Sequence, residues 1–273
     1  MSRLKLRLVR KVHAGPAVAA AFCALAIAAV AVCPASAQAP YPGEGMSDVM
    51  AEALKTPESA ASRRVLAQAD ADRGTKVLVS TEQRRLWLVS GRDTLMSVPV
   101  AVGMGDGFEF EGRHFYFETP RGKRRVLGKQ PNPFWNVPEW HYLERARAQG
   151  LAVVKLTKDD KIELADGSFI LTIGSNVGRL NTAGKFWPFT PGNEIIFDGK
   201  VFVPPFGTVQ RAVPDALGPY KLDTGNGYLI HGTHIYNESS VGDAVSHGCV
   251  RMNNDDLERL YPLVPVGTAV YIF

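Results

Sequence analysis

Cysteine is scarce in this chain. Three occur in 273 residues, and two of them, Cys23 and Cys33, fall within the first 37. No C-x-x-C pair and no H-E-x-x-H run occurs, so the common zinc signatures are missing. There is no internal repeat, and past residue 37 there is no low-complexity tract and no apolar run of membrane-spanning length. A surplus of positive charge is missing as well once the N-terminus is set aside. The whole chain holds 31 Lys+Arg against 27 Asp+Glu, and Arg3, Lys5, Arg7, Arg10 and Lys11 account for the excess. From residue 38 onward the balance is 26 basic to 27 acidic, which offers no electrostatic footprint for nucleic acid.

The N-terminus itself carries a targeting pattern. The basic residues of "MSRLKLRLVRK" precede the apolar run Ala17–Val32, and the small residues of "PASAQAP" follow. That order is a secretory signal peptide, with cleavage expected after Ala37. Residues 1–37 are therefore predicted to leave, placing the remainder in the periplasm or cell envelope with no stable membrane span. Cys249 then becomes the one cysteine of an exported chain. Exported cysteines usually pair as disulfides, so an odd one points to a reactive thiol or an intermolecular bridge.

Residues 38–75 are small and polar, with Pro57 interrupting any helix, and read as a linker with one or two short helical segments and no core of its own. The pattern changes at Lys76. "KVLVS" and "RLWLVSG" are short β-rich runs, and "TLMSVPVAVG" sets Val98, Val100 and Val102 at alternate positions. "HFYFETPRG" alternates until Pro120 and Gly122. A helix is predicted over Glu139 to Gln149, and the Gly-, Pro- and aromatic-rich middle, roughly 124–210, is expected to add strands and long loops that shape a cleft. "GYLIHGTH" reads as a buried strand and "TAVYIF" as a closing one. "NNDDLERLYPLV" reads as a short helix with an Asp255-x-x-Glu258 capping box. Many short strands and few helices predict a mainly β, sandwich- or barrel-like domain over 76–273.

Chemistry concentrates around "AVSHGCVRMNN". His231, His234 and His247 all lie within 18 residues of Cys249. A thiol attacks as thiolate, and a neighbouring histidine lowers its pKa from about 8.5 into a range of roughly 3.5–7.5. His231, on a separate predicted strand, is the better base, because it can approach the sulfur without backbone strain. Gly248 lets the chain turn beside the thiol. The consecutive amides of Gly248 and Cys249 are expected to point inward, each donor worth about 2.7–4 kcal/mol to an oxyanion. Arg251 is an always-charged fork suited to a carboxylate. A mixed zinc site of His231, His234, His247 and Cys249 is the rival arrangement. It is disfavoured because His231 and His234 stand three apart on a strand and so face opposite sides.

These residues resemble a known signature. "IHGT", followed 18 residues after its histidine by the cysteine of "SHGCVRM", is similar to the motif of the L,D-transpeptidase family, the YkuD-type catalytic domain. "KVLVSTEQRRLWLV" and the Thr-Pro-x-Gly of "FETPRG" extend the resemblance over about 76–273, with the middle segment matching least. The resemblance implies a β-sandwich-like fold, no cofactor and no metal, with Cys249 as acylated nucleophile and His231 as general base. It implies that His247, Gly248 and Cys249 line the oxyanion side, with Ser246, Arg251, Gly232 and His234 on the substrate side. Some members carry serine where Gly232 stands, so here a backbone carbonyl is left to orient the base. The implied substrates are peptidoglycan stem peptides, with a stem amine, water or an outer-membrane lipoprotein lysine as acceptor. Water would make the chain an L,D-carboxypeptidase or endopeptidase. A non-catalytic wall-binding protein of the same fold is the alternative from another class, which the intact Cys249, His231 and Gly248 argue against.

Overall fold

Period-two alternation in the strands sorts their side chains between two apolar layers, and a computed structural model, which describes residues 59–273, shows both layers filled. The first sheet contains β1 (Thr75–Ser80), β2 (Arg85–Ser90), β3 (Asp93–Pro99), β4 (Gly122–Arg125) and the closing strand β9 (Ala269–Ile272). Their order across the sheet is β3-β2-β1-β9-β4, with β1 and β9 parallel and the other neighbours antiparallel. Val77, Val79, Leu86, Leu88, Val270 and Ile272 face an inner core. Leu78, Trp87, Val89, Ala269, Tyr271 and Phe273 face an outer one. β1 is thus covered on both faces, which is why "KVLVS" reads as an almost continuous apolar run.

The inner core is closed by a second sheet and a helix. β5 (Gly128–Pro131), β6 (Tyr220–Asp223), β7 (Leu229–His231) and β8 (Val250–Arg251) lie in the order β8-β7-β6-β5. Leu222, Ile230 and Val250 point inward, joined by Leu257 and Leu260 of helix α3 (Asn254–Leu263). The arrangement is the expected β-sandwich, mostly strand with a few short helices. The predicted capping box is not formed. The helix starts at Asn254 with Asn253 as its cap, so Asp255 lies inside the first turn, where it and Asp256 face the positive end of the helix dipole. "HFYFETPRG" also divides differently: its strand ends at Phe117, and Gly122 opens β4 rather than a turn.

Helix α1 (Ala60–Ala71) covers the outer core. Ser59 caps it by accepting the Ser62 amide at 3.1 Å, and Ser62, Val65, Leu66 and Ala69 form one buried stripe. Lys76 anchors the helix exit. Its ammonium, fully buried, donates to the Asp72 carbonyl at 2.6 Å, and the Tyr271 hydroxyl donates to the Asp72 carboxylate at 2.9 Å. This part of the expected linker therefore borrows the outer face of the sheet as its core. The rest of that segment, and the predicted leader with its cleavage point, lie outside the described residues.

The middle segment forms a small body on its own core of Leu156, Leu164, Ile170, Val177, Ile195 and Phe202. It holds a four-stranded antiparallel sheet over 161–188 and a three-stranded one built on Ala152–Lys155, Ile195–Phe197 and Lys200–Val203. It follows helix α2 (Glu139–Gln149), whose bounds match the sequence expectation, and whose chain reverses at the left-handed Gly150. Among the described residues no helix is long and apolar enough to cross a membrane.

Leu66 tests the docking of α1. Leu66→Ala is expected to cost about 2–5 kcal/mol in urea unfolding. A loss under about 0.5 kcal/mol, the scale of an ordinary surface change, would mean the helix contributes only as a tether.

Candidate active site

β7 and β8 run parallel, with Ile230 opposite Val250 and His231 opposite Arg251. Ile230 and Val250 belong to the inner core, so alternation turns Leu229, His231, Cys249 and Arg251 to the other face. Lys221 and Asp223 of β6 lie opposite His231 and Leu229 and share that face. The candidate nucleophile, candidate base and a guanidinium are therefore gathered by strand pairing.

Residues 101–104 grip both ends of the cysteine loop. Ala101 and Arg251 exchange amide–carbonyl hydrogen bonds at 2.9 Å, and the Met104 amide donates to the Ser246 carbonyl at 3.0 Å. The Thr-Pro-x-Gly segment supports this clamp, since the Thr119 hydroxyl accepts the Gly103 amide at 2.8 Å. Within the loop, the Ser246 hydroxyl donates to the Cys249 carbonyl at 2.6 Å and accepts the Gly248 amide at 3.1 Å. This corrects one expectation. The Gly248 N–H does not point inward, because closing the turn through Ser246 consumes it. Gly248 remains essential for shape: its φ is +117°, and a Cβ there would sit 2.7 Å from the Tyr228 ring and 2.9 Å from the Glu118 carbonyl.

His231 is buried, and its Nδ1 lies 2.5 Å from the Gly232 carbonyl. A carbonyl only accepts, so Nδ1 carries the proton and Nε2 keeps a lone pair. Burial first, then the Arg251 charge and that of Lys221, bring the imidazole pKa down to about 3, against the pull of the Gly232 carbonyl. Cys249 is half-buried, with its Sγ 3.9 Å from the Gly227 carbonyl. Burial pushes its thiol up, outweighing the Leu229 backbone contact and Arg251, which favour thiolate. Both shifts favour the neutral forms, the opposite direction from the expected histidine-depressed thiol. For the imidazole, desolvation and the Arg251 charge act together, whereas for the thiol desolvation outweighs the attraction of the same guanidinium.

The remaining histidines separate. His247 turns from the sulfur to helix α2, stacking on Trp140 at 4.2 Å with its Nε2 3.2 Å from Glu144. His234 is exposed and accepts the Tyr236 amide at 3.4 Å at the start of a short 3-10 turn. Arg251, half-buried beside Cys249, has no carboxylate within ion-pair distance among the described residues. Sequence reasoning missed Glu144, Tyr228 and Asn254. Asn254 clamps Thr233 through two hydrogen bonds of 3.0 Å. Tyr228 and Asn254 adjoin glycines that the motif does contain, which is the one signal that pointed toward them.

Two outcomes check this geometry. Alkylation of Cys249 by iodoacetamide is expected to climb steadily from pH 6 to 9, since the raised thiol is still protonated at neutrality. A plateau reached by pH 7 would reveal a preformed thiolate. Gly248→Ala is expected to lose the backbone strain of about 1–3 kcal/mol and a further steric part. Gly174→Ala, with φ +60° and nothing within 4 Å of its Cβ, should show the strain alone. Equal losses in urea unfolding would contradict the close approach at Gly248.

Parts of this chain are similar in sequence to known proteins. Probable L,D-transpeptidase YbiS of Escherichia coli (strain K12) is 40% identical over 89 residues, covering 32% of this chain and 28% of that protein. Putative L,D-transpeptidase YkuD of Bacillus subtilis (strain 168) is 34% identical over 116 residues, 41% of this chain and 64% of that one. The matched stretch thus spans under a third of YbiS. Among solved structures, an L,D-transpeptidase from Xylanimonas cellulosilytica DSM 15894 aligns over 79% of this chain and 70% of its own at 15% identity, with a TM-score of 0.40. The family description "L,D-transpeptidase catalytic domain" matches residues 74–272, a span that takes in both sheets and every residue placed above around Cys249. By that coverage the chain belongs to the YkuD family.

Proposed function

We propose that the chain is an exported cysteine L,D-transpeptidase that acts on peptidoglycan stem peptides. The observation that carries this reading is the placement of His231 and Cys249 on one face of the paired strands β7 and β8, with Nδ1 committed to the Gly232 carbonyl. As Sγ attacks the carbonyl carbon of the third stem residue, the thiol proton passes to Nε2. The C–N bond to the terminal D-residue breaks, the imidazolium returns the proton to the departing nitrogen, and a thioester to Cys249 remains. An amine then attacks the thioester, its proton is taken by Nε2, and the sulfur leaves to regain a proton. General acid–base help of this kind contributes roughly 10²–10⁴-fold.

The oxyanion falls to the amide of Cys249 itself, beside the wall formed by His247 and Gly248, because the Gly248 amide is held by Ser246. Arg251 takes a substrate carboxylate. That contact does more than anchor: neutralising Arg251 removes a charge that holds the imidazole unprotonated, so substrate binding raises the basicity of His231 when a base is needed. Gly232 orients the base, while Ser246 shapes the loop and His234 stands at the cleft rim.

Residues 1–37 serve as the signal peptide, 38–75 as the connecting segment and 76–273 as the catalytic domain, working in the periplasm or cell envelope. A neighbouring stem amine as acceptor gives a 3–3 crosslink, and a lysine of an outer-membrane lipoprotein gives attachment instead.

Incubation with disaccharide-tetrapeptide, followed by mass spectrometry, tests the reaction. Crosslinked dimer is the expected product, and Cys249→Ala is expected to form none. Tripeptide alone would reassign the chain as an L,D-carboxypeptidase, and product from Cys249→Ala would sink the cysteine mechanism.

A further inference from the structure

Asn254 opens α3, yet its side-chain amide is turned onto another segment. Its Oδ1 accepts the Thr233 amide at 3.0 Å and its Nδ2 donates to the Thr233 carbonyl at 3.0 Å. Asparagine is an indifferent helix former, so a first-turn asparagine turned onto another segment has work there. Two glycines show how tightly it is wedged. A Cβ on Gly232 would lie 2.2 Å from Oδ1, and one on Gly218 would lie 2.4 Å from it.

The Thr233 N–H and the Gly232 C=O belong to one peptide unit, which is planar and stiff. Asn254 holds the N–H side of that plane. On the opposite side the carbonyl accepts the His231 Nδ1 proton at 2.5 Å. Rotating the plane would carry the carbonyl away from the imidazole, so the asparagine and the histidine are coupled through a rigid element.

We propose that Asn254 is a positioning residue for the base. By fixing the Gly232–Thr233 peptide plane it keeps His231 in the Nδ1–H tautomer, with Nε2 free to take the thiol proton. The inference rests on His231 being the base proposed above. The charged groups that act on His231 are Arg251 from β8 and Lys221 from β6. Both remain when Asn254 is changed. Releasing the plane therefore alters the tautomer balance and lets water reach the ring, moving its titration toward the ordinary histidine range.

The test pairs nitrogen-15 NMR of the His231 ring with carbapenem acylation of Cys249, followed by intact mass from pH 5 to 8. Asn254→Ala is expected to acylate about 10- to 100-fold more slowly at pH 7. It should show mixed tautomers and gain an acid limb near pH 6 that the unaltered protein lacks. Asn254→Ser retains a residue suited to helix starts but is too short to span both groups of Thr233, so it should behave alike where the alanine variant folds poorly. Asn254→Asp keeps the acceptor for the Thr233 amide and should preserve the tautomer. A single Nδ1–H tautomer with an unchanged pH profile in the alanine and serine variants would overturn the inference, whatever their thermal stability. Normal acylation by His231→Gln would instead remove the base assignment, while the ring tautomer in the Asn254 variants would still decide the coupling.

Discussion

The site depends on a parallel pairing only two residues long. Ile230 against Val250 and His231 against Arg251 decide which side chains enter the core and which turn to the face that holds Cys249. A slip of one residue would drive Arg251 or Cys249 into the inner core and turn Val250 outward, because strand faces alternate strictly. So short a ladder cannot hold its own register. The Ala101–Arg251 exchange on one side and the Met104–Ser246 bond on the other supply the constraint. Beneath them, Ile230 and Val250 are locked into the shared core with Val77 and Leu86 of the first sheet. The sandwich therefore makes the catalytic register expensive to change, and the chemistry inherits that rigidity.

Given that register, the electrostatics follow from dryness. A cysteine and a histidine in water would share a proton readily, and a free imidazolium would stabilise the thiolate. Here the imidazole is buried and lies beside the Arg251 charge, so the imidazolium is disfavoured and the sulfur keeps its proton. A protonated thiol resists oxidation, since thiolate character governs oxidation as well as attack. Arg251 links the two groups, because its guanidinium bears on the titration of both.

Much of this was legible in local sequence, and the rest was not, for a consistent physical reason. Alternation in "KVLVS", "RLWLVSG" and "TAVYIF" reports burial of side chains two apart, which is a property of the strand itself. Cys249 was conspicuous by cysteine arithmetic, and the Gly232 carbonyl followed from the missing serine. Three features turned on specific contacts that residue pattern does not report. The Gly248 amide looked free until Ser246, two residues away, was seen to close the turn. The capping box at Asp255 looked sound until Asn254 was seen to begin the helix one residue early. The stripe Val65, Leu66, Ala69 looked like a linker because its core belongs to Trp87 and Tyr271. The first two misses are local geometry, and only the third is a contact between segments that the sequence separates.

Glycines mark where such contacts are tightest. The Asn254 amide occupies the space that a Cβ on Gly232 or Gly218 would need, and Tyr228 and the Glu118 carbonyl close around Gly248. In all three the missing Cβ makes room for a neighbouring group rather than for an unusual torsion alone. On the other flank of the cysteine loop, α2 presses Trp140 and Glu144 onto His247, so the helix that leads into the irregular middle segment also bears on the nucleophile's loop. The loop is thus held from β7 and α3 on the base side and from α2 on the other. The two flanks bear on different side chains: α2 packs against His247, whereas Asn254 holds the peptide plane whose carbonyl meets His231, so a change in one does not directly alter the contacts made by the other.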